Sequence, residues 1–255
     1  MPKPRIIALA NHKGGTAKTT TAVNLAACLA AADRRILLID LDPQGNASSW
    51  LGVDSELGID AVLTNGEALD TQIVPAAVAG VSVIAASSGL AATERALAGE
   101  RGAETLLRRQ AAQGKLEAWH YVILDTSPAL GLLTINALAA AHEVLIPVEA
   151  HVLALSGVAQ IINTITLVQQ RFNPELALTG FVICRFDPRT RHSVEVRESL
   201  TAKFPGKVLT TVIRENVRLA EAPSFGVPVS VYAPRSSGAA DYHALAAEII
   251  GMEKS

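Results

Sequence analysis

The residues best suited to chemistry lie together in one short loop, Asn-His-Lys-Gly-Gly-Thr-Ala-Lys-Thr-Thr, at positions 11–20. Gly14 and Gly15 let the backbone turn so that successive N–H groups point inward at phosphate oxygens. A helix-like segment follows, and its N-terminus adds partial positive charge. Lys18 is placed to reach the β- and γ-phosphates of a nucleotide, and the Thr19 hydroxyl to bind Mg²⁺. The loop therefore predicts a nucleoside triphosphate site; the alternative is a glycine-rich turn capped by Thr19.

Carboxylates follow two apolar segments further along the chain. Asp40 and Asp42 end the first, and their i, i+2 spacing on an extended strand projects them to the same side. Asp125 ends the second, which is the arrangement that holds Mg²⁺ in nucleotide hydrolases. Open α/β sheets bind ligands at the carboxyl ends of their strands, so we expect these carboxylates beside the loop. Without the loop, residues 42–45 would be read as an ordinary turn.

Short apolar segments alternate with helix-like segments, which indicates an α/β fold with a doubly wound, mostly parallel sheet and helices on both faces. The apolar segments lack period-2 alternation, as is typical of strands buried on both sides. No repeat or linker divides the chain, so we expect one domain over residues 1–255. Residues 51–83 suggest only a short helix and turns. Strands are predicted at 5–10, 35–40, 121–125, 144–149, 178–184 and 227–231, and helices at 19–32, 93–115, 132–141, 155–171, 193–203 and 238–250.

Composition narrows the class of protein. No apolar run approaches the roughly 18 residues that span a bilayer, and the N-terminus lacks a signal peptide, so we expect a cytoplasmic location. Cys28 and Cys184 are isolated in apolar runs, which favours reduced core residues over a disulfide or metal site. The net charge is −2, yet residues 185–218 carry eight basic and four acidic side chains. A basic segment on an acidic body predicts one surface for a polyanion.

Four segments carry a resemblance to a known family. The loop departs from G-x-x-x-x-G-K-[ST], because His12 and Ala17 occupy glycine positions, but resembles the deviant motif K-G-G-x-G-K-[ST] with Lys13 as its extra lysine. Residues 40–46 resemble the family's D-x-D-P-Q-G-N signature, and residues 121–128 its Walker B strand. Residues 212–224 resemble I-P-R-N-V-R-L-S-E-A-P-S, with Arg214 at the proline position and Asn216 at the asparagine. In this order, the segments resemble the ParA/Soj partitioning ATPases of the MinD/ParA group over residues 6–247.

The resemblance implies roles for individual residues. Lys13 would cross to a second subunit and contact its phosphates, as a catalytic residue together with Lys18. Asp42 would orient the attacking water and lie near Mg²⁺ with Thr19 and Asp125, while Asp40 supports it. At the adenine, the resemblance implies Asn216, and Arg214 in place of the family's proline. The residues implied to bind the phosphates of ATP are Lys13, Gly14, Gly15, Thr16, Ala17, Lys18, Thr19 and Thr20.

Ala17 departs from the family's glycine. If residue 17 has a positive φ, alanine costs roughly 1 kcal/mol or more. We therefore expect lowered nucleotide affinity or turnover, and a nucleotide-binding module with little hydrolysis is one alternative function.

The resemblance also implies a function. ATP binding would form a sandwich homodimer that binds double-stranded DNA without sequence preference and so associates with the nucleoid. A ParB-like partner would stimulate hydrolysis and release the dimer. Only four residues precede the first strand, so we expect the short chromosomal type without an N-terminal helix-turn-helix. Arg189 and Arg218 match basic family positions, whereas a solvated surface is equally compatible with the other candidates. The candidate DNA contacts are Arg189, Arg191, Arg197, Lys203, Lys207 and Arg218.

Other functions of this fold remain to be weighed. A MinD-like spatial regulator needs a basic amphipathic C-terminal helix, but residues 246–255 are short, interrupted by Gly251 and not basic, so no stable membrane association is expected. A metal-cluster ATPase needs paired cysteines, which two isolated cysteines do not provide. A metabolic ligase on the same fold stays open, because fold alone does not define function.

Overall fold

The computed structural model describes residues 3–54, 58–113, 116–151 and 154–253. Its eight strands form a single sheet in the order β3-β4-β2-β5-β1-β6-β7-β8, parallel throughout except that β3 runs antiparallel to β4. The predicted doubly wound α/β fold is therefore confirmed. The strands are β1 (Arg5–Leu9), β2 (Ile36–Leu41), β3 (Val74–Pro75), β4 (Val81–Ile84), β5 (Tyr121–Thr126), β6 (Glu143–Glu149), β7 (Ala177–Phe186) and β8 (Val208–Arg214).

Helices cover both faces of the sheet. In chain order they are α1 (Lys18–Ala31), α2 (Asn46–Trp50), α3 (Ile59–Asn65), α4 (Leu90–Leu97), α5 (Leu106–Gln113), α6 (Leu132–Ala140), α7 (Ala154–Arg171), α8 (Arg191–Lys203), α9 (Val217–Glu221), α10 (Val229–Tyr232) and α11 (Ser237–Gly251). No helix in these described ranges is long and apolar enough to cross a membrane.

The central strands supply two hydrophobic clusters, one on each face of the sheet. In β1, Ile6 and Ala8 belong to one cluster, while Ile7 and Leu9 belong to the other. All four are buried. Because successive side chains of a strand point to opposite faces, a strand buried on both sides is apolar at every position. This explains why the sequence shows continuous apolar segments instead of alternation.

Several sequence predictions differ from the structure. Residues 227–231 were predicted as a strand, but α10 (Val229–Tyr232) occupies the segment, with Pro228 at its N-cap. The valines misled the prediction because β-branched residues favour strands, whereas tertiary packing decides for a helix this short. Strand β8 was missed, as were β3 and β4 in the segment 51–83, where only a short helix, here α3, was expected.

The predicted helix 93–115 is also interrupted. Helix α4 ends at Leu97, and α5 begins only at Leu106. Between them Gly99 and Gly102 have φ of 89° and 76°, values that glycine adopts without steric cost. Two left-handed residues cannot continue a right-handed helix, so the segment forms two helices. Residues 114–115 lie outside the described residues.

Candidate active site

The loop between β1 and α1 lies at the carboxyl edge of the sheet, as predicted. Its start is anchored to the neighbouring strand, because the buried Asn11 side chain donates a hydrogen bond of 2.7 Å to the carbonyl of Pro147 in β6. The Asn11 side-chain oxygen in turn accepts from the backbone N–H of Lys13 at 3.2 Å. Sequence reasoning did not identify Asn11. The anchor fixes the start of the loop before any nucleotide binds.

Two residues of the loop have left-handed backbone conformations. Gly15 has φ of 76°, and Ala17 has φ of 66° and ψ of 30° immediately before the first residue of α1. For an L-residue with a Cβ, this conformation costs roughly 1–2 kcal/mol. Space beside the glycines is open, since a Cβ added at Gly14 or Gly15 would meet no atom within 4 Å. The loop thus exposes its backbone to the cleft.

Polar side chains of the loop point inward. The Lys18 Nζ donates to the carbonyl of Lys13 at 3.3 Å, and the Thr16 hydroxyl donates to the same carbonyl at 3.2 Å. Burial lowers the pKa of Lys18, an effect that the carboxylates of Asp125 and Asp42 oppose. A phosphate group is a stronger partner for a buried ammonium than a carbonyl is. Lys18 is therefore placed to exchange the loop carbonyl for phosphate oxygens.

The carboxylates from β2 and β5 meet beside Lys18. Asp40 and Asp125 occupy paired positions of the two adjacent strands, and both are fully buried. Asp42 lies one step beyond β2, where it lines the cleft and accepts from the backbone N–H of Gln44 at 3.1 Å. The sequence expectation that these groups assemble at one edge is met.

The Asp40 side chain binds the backbone of the loop that follows it. One carboxyl oxygen accepts from the backbone N–H of Asp42 at 3.1 Å, and the other accepts from the backbone N–H and hydroxyl of Ser48 at 2.9 and 2.7 Å. Burial raises the pKa of Asp40 to about 6, although these hydrogen bonds oppose the shift. These bonds fix the position of Asp42. Asp40 is therefore a positioning residue, one layer further from the cleft than Asp42.

Asp125 shows that the site fits a divalent cation. Neither of its carboxyl oxygens has a hydrogen-bond partner among the described residues, although both are buried. Burial and the neighbouring Asp40 raise the pKa of Asp125 well above its usual range, while the nearby Thr19 hydroxyl opposes the shift. A divalent cation beside these oxygens would stabilise the ionised form that burial disfavours.

The donor set suits magnesium in particular. Mg²⁺ is usually held by one or two carboxylates, waters and substrate phosphates, with no dedicated protein cage. Among the described residues, no group of three or more His, Cys, Asp or Glu side chains is placed to hold a metal ion. Thr19, Asp42 and Asp125 are the residues that would hold it. When bound, Mg²⁺ neutralises charge on the phosphate oxygens.

A cleft of about 800 Å³ joins this site to the end of β8. One wall contains the loop from Gly14 to Thr20, and the other contains Arg214, Asn216 and Leu219. Its volume lies within the range of pockets that bury a nucleotide-sized ligand. The residues after β8 thus lie at the end of the cleft away from the loop.

The Lys13 side chain makes an ion pair that the sequence analysis did not predict. Its Nζ lies 3.5 Å from a carboxyl oxygen of Glu149, whose other oxygen accepts from Arg185 at 3.1 Å. Arg185 itself has a left-handed φ of 53° at an irregularity in the pairing of β7 with β8. Glu149 ends an apolar strand at the carboxyl edge, and the rule that identified Asp125 would have found it too.

The candidate DNA contacts fall into separate groups. Arg189 follows β7 and Arg218 follows β8, at the carboxyl edge that also holds the cleft. They pair with nearby acids, Arg189 with Asp187 at 2.8 Å and Arg218 with Glu221 at 2.7 Å.

The other candidates extend away from that edge along α8. Arg191 begins this helix and pairs with Glu195, Arg197 lies over the ring of Phe186, and Lys203 ends the helix. Thirteen helical residues span about 20 Å. Lys203 and the following Lys207 therefore lie towards the amino ends of the strands, away from the carboxyl ends that hold the cleft. The basic segment of the sequence is thus not one continuous patch.

The parallel sheet, the phosphate loop and the buried carboxylates define a P-loop ATPase. A family profile described as an AAA domain matches residues 4–178. The chain is 47% identical over 248 residues to the chromosome-partitioning ATPase Soj of Thermus thermophilus, covering 97% of this chain and 96% of that one. It is 43% identical over 249 residues to the sporulation initiation inhibitor protein Soj of Bacillus subtilis, covering 96% and 98%. The chain belongs to the ParA/Soj family of partitioning ATPases.

Among solved structures, the chain is similar to cobyrinic acid a,c-diamide synthase from Mycobacterium smegmatis with bound ADP and magnesium. The identity is 34% and the TM-score 0.84, covering 97% of this chain and 94% of that one. The sequence-based expectation of an ATPase that uses ATP and Mg²⁺ is confirmed by these relatives.

Proposed function

We propose that this ATPase is a DNA-segregation switch, in which ATP binding forms a sandwich homodimer that binds double-stranded DNA without sequence preference. One observation carries the proposal: the nucleotide cleft and the two arginines Arg189 and Arg218 share the carboxyl edge of the sheet. A change at the cleft can therefore alter which basic side chains face a polyanion. Two copies in one dimer would double the number of phosphate contacts, and affinity for DNA rises steeply with that number.

Within the cleft, the loop from Gly14 to Thr20 would bind the triphosphate through its backbone N–H groups and Lys18. Asp42 would orient the attacking water, a role supported by its carboxylate at the cleft and by the hydrogen bond that fixes its backbone to Asp40. Lys13 would leave Glu149 and contact the phosphates of the second subunit. There it would stabilise charge on the transferring phosphoryl group.

The remaining parts of the proposal concern the cellular cycle. The described residues form one sheet with a cluster on each face, which supports treating residues 1–255 as one functional domain. A ParB-like partner would stimulate hydrolysis, separate the dimer and so release it from the nucleoid in the cytoplasm. Exposed arginines supply contacts that hold DNA without reading its sequence.

The test is retention on duplex DNA of unrelated sequences with ATP, with ADP and without nucleotide. Retention that requires ATP and weakens with salt is the expected result, because contacts to phosphates release counterions. Equal retention in all three states would contradict the switch. Light scattering on the same samples reports whether ATP also converts monomer to dimer.

A synthase is the second candidate, since the mycobacterial structure at 34% identity carries the name of a diamide synthase. The two functions differ in what stimulates ATP turnover. Turnover that responds to DNA and a ParB-like protein supports segregation, whereas turnover that requires cobyrinic acid supports the synthase.

A further inference from the structure

The wall of the cleft opposite the phosphate loop is built where β8 ends. Arg214 is the last residue of this strand, and Asn216 caps α9 two residues later. Both line the cleft. Because the phosphates are fixed at the other end, a nucleotide long enough to fill the cleft places its base against this wall.

Arg214 is held rigidly by one buried carboxylate. Its backbone N–H donates to Asp241 at 2.9 Å, its Nε lies 3.1 and 3.0 Å from the two carboxyl oxygens, and its Nη2 donates at 2.6 Å. The Asp241 side chain is only 10% exposed, whereas that of Arg214 is 47% exposed. The carboxylate thus fixes one edge of the guanidinium and leaves the rest open to the cleft.

The geometry of this pair decides which part of Arg214 remains available. Hydrogen bonds to a guanidinium lie in its plane, as in every bidentate pair with a carboxylate. The two flat faces of the group are therefore not used by Asp241. A planar cation with a free face is suited to stack on an aromatic ring.

Asn216, a second polar residue of this wall, makes two hydrogen bonds within the protein. Its side-chain oxygen accepts from the backbone N–H of Arg218 at 2.9 Å, and its nitrogen donates to the hydroxyl of Ser237 at 2.6 Å. Both functional atoms thus hold α9 and the start of α11 in place. Asn216 shapes the wall, and Arg214 adds a planar, half-exposed cation to it.

We propose that Arg214 is the base platform of the cleft, with its guanidinium face stacked on the purine ring of ATP and its orientation fixed by Asp241. This inference rests on the nucleotide use of the cleft and adds the residue that sets base preference. Arginine planes stack on nucleobases in many complexes, and the larger purine ring offers more overlap than a pyrimidine. Affinity should therefore depend on the base as well as on the triphosphate.

The test compares ATP with inorganic tripolyphosphate, which has the phosphates but no base. Titration calorimetry on Arg214→Ala should show ATP binding weakened about fivefold to thirtyfold, as loss of a cation–π contact predicts. Tripolyphosphate binding should stay unchanged. The preference for ATP and GTP over UTP should fall in the same variant.

Two further variants separate stacking from charge and from folding. Arg214→Lys keeps a cation beside Asp241 but has no planar face, so it should lose ATP affinity as the alanine variant does, and it is decisive if alanine fails to fold. Arg171→Ala removes an exposed arginine at the end of α7 and should bind ATP normally.

The results that overturn the proposal are equally specific. Unchanged ATP affinity in Arg214→Ala, full recovery by lysine, or equal loss of ATP and tripolyphosphate would each show that Arg214 is not a stacking platform. Failure of the wild-type chain to retain DNA with ATP would refute the segregation switch. It would not affect the titrations of ATP and tripolyphosphate that test Arg214. Loss of tripolyphosphate binding in Lys18→Ala gives an independent check on the phosphate end.

Discussion

Replacement of Ala17 by glycine tests the strained backbone of the phosphate loop. Ala17 has φ of 66° immediately before α1, in the left-handed region. An alanine there costs roughly 1–2 kcal/mol, because its Cβ approaches the following carbonyl oxygen. Glycine has no Cβ and adopts this conformation freely. Ala17→Gly should therefore remove the strain without removing a contact made by a functional group.

The expected gain is smaller than the strain itself. Glycine loses more backbone entropy on folding than alanine, which offsets roughly 0.5–1 kcal/mol. Subtracting this from the strain leaves a net stabilisation of roughly 0 to 1.5 kcal/mol for Ala17→Gly, with a midpoint of about 0.8 kcal/mol. For a chain of this size that corresponds to a rise in Tm of about 2 °C.

Ala244→Gly is the matched control. Ala244 is exposed in the middle of α11, so the same pair of residue types is exchanged in an ordinary helical conformation. This variant should lose about 1 kcal/mol, the usual cost of glycine in an exposed helix interior. The entropy of the unfolded chain changes equally in both variants. Their difference in sign therefore isolates the conformation of residue 17.

Urea unfolding of the nucleotide-free protein, followed by circular dichroism, measures both changes. Equal destabilisation by the two substitutions would refute the left-handed conformation at residue 17. ATP affinity of Ala17→Gly should stay close to that of the wild type, because the strain is already present without nucleotide and so belongs to folding. This result would also correct the expectation that alanine at this position lowers nucleotide affinity.

Three further predictions address the proposed site. Lys18→Ala should abolish ATP binding in calorimetry, since it removes the buried cation at the phosphate end; undiminished affinity would refute the loop assignment. Asp42→Ala should trap an ATP-bound dimer that still binds DNA, measured by phosphate release and DNA retention, and normal hydrolysis would exclude Asp42 as the water-orienting group. Arg218→Glu should weaken DNA retention and lower its salt dependence while ATP affinity is kept. Arg171→Glu makes the same charge change at the opposite edge of the sheet, and an equal loss there would show a non-specific charge effect.

The sheet and the phosphate end of the cleft could be predicted because they depend on local pattern and order along the chain. Strands buried on both faces must be apolar throughout, and a parallel sheet brings the ends of β1, β2 and β5 to one edge. The carboxylates Asp40, Asp42 and Asp125 follow directly from that rule. The sheet order itself then explains why they lie beside Lys18.

The strands β3, β4 and β8 could not be predicted with the same rule. The edge strand β8 has a mixed burial pattern, since Thr210 is exposed while Leu209 and Ile213 are buried, so it shows no continuous apolar segment. The two residues of β3 are too few to show any period. The valines of α10 gave the opposite error, because β propensity measures packing in a sheet more than an intrinsic backbone preference.

The sequence could not show which of the carboxylates Asp40 and Asp42 faces the cleft. Sequence order and family resemblance place Asp40 and Asp42 together, and both are carboxylates. Only the hydrogen bonds to Ser48 and to the backbone of Asp42 distinguish the group that positions from the group that faces the cleft. These bonds depend on the path of the chain after β2, which periodicity does not specify.

Lys13 and Glu149 show how a contact absent from any motif bears on the proposed switch. The pair is separated by 3.5 Å, and the Lys13 side chain is 35% exposed. An ion pair in such a setting contributes about 0–1 kcal/mol, so Lys13 can leave Glu149 at little cost. In the proposed dimer, the triphosphate of the second subunit would carry more negative charge than one carboxylate and would attract Lys13 more strongly. Arg185 remains beside Glu149 at 3.1 Å, so the carboxylate keeps a cation when Lys13 departs. In the proposed dimer, this arrangement would let Lys13 move to a partner's phosphates at little cost.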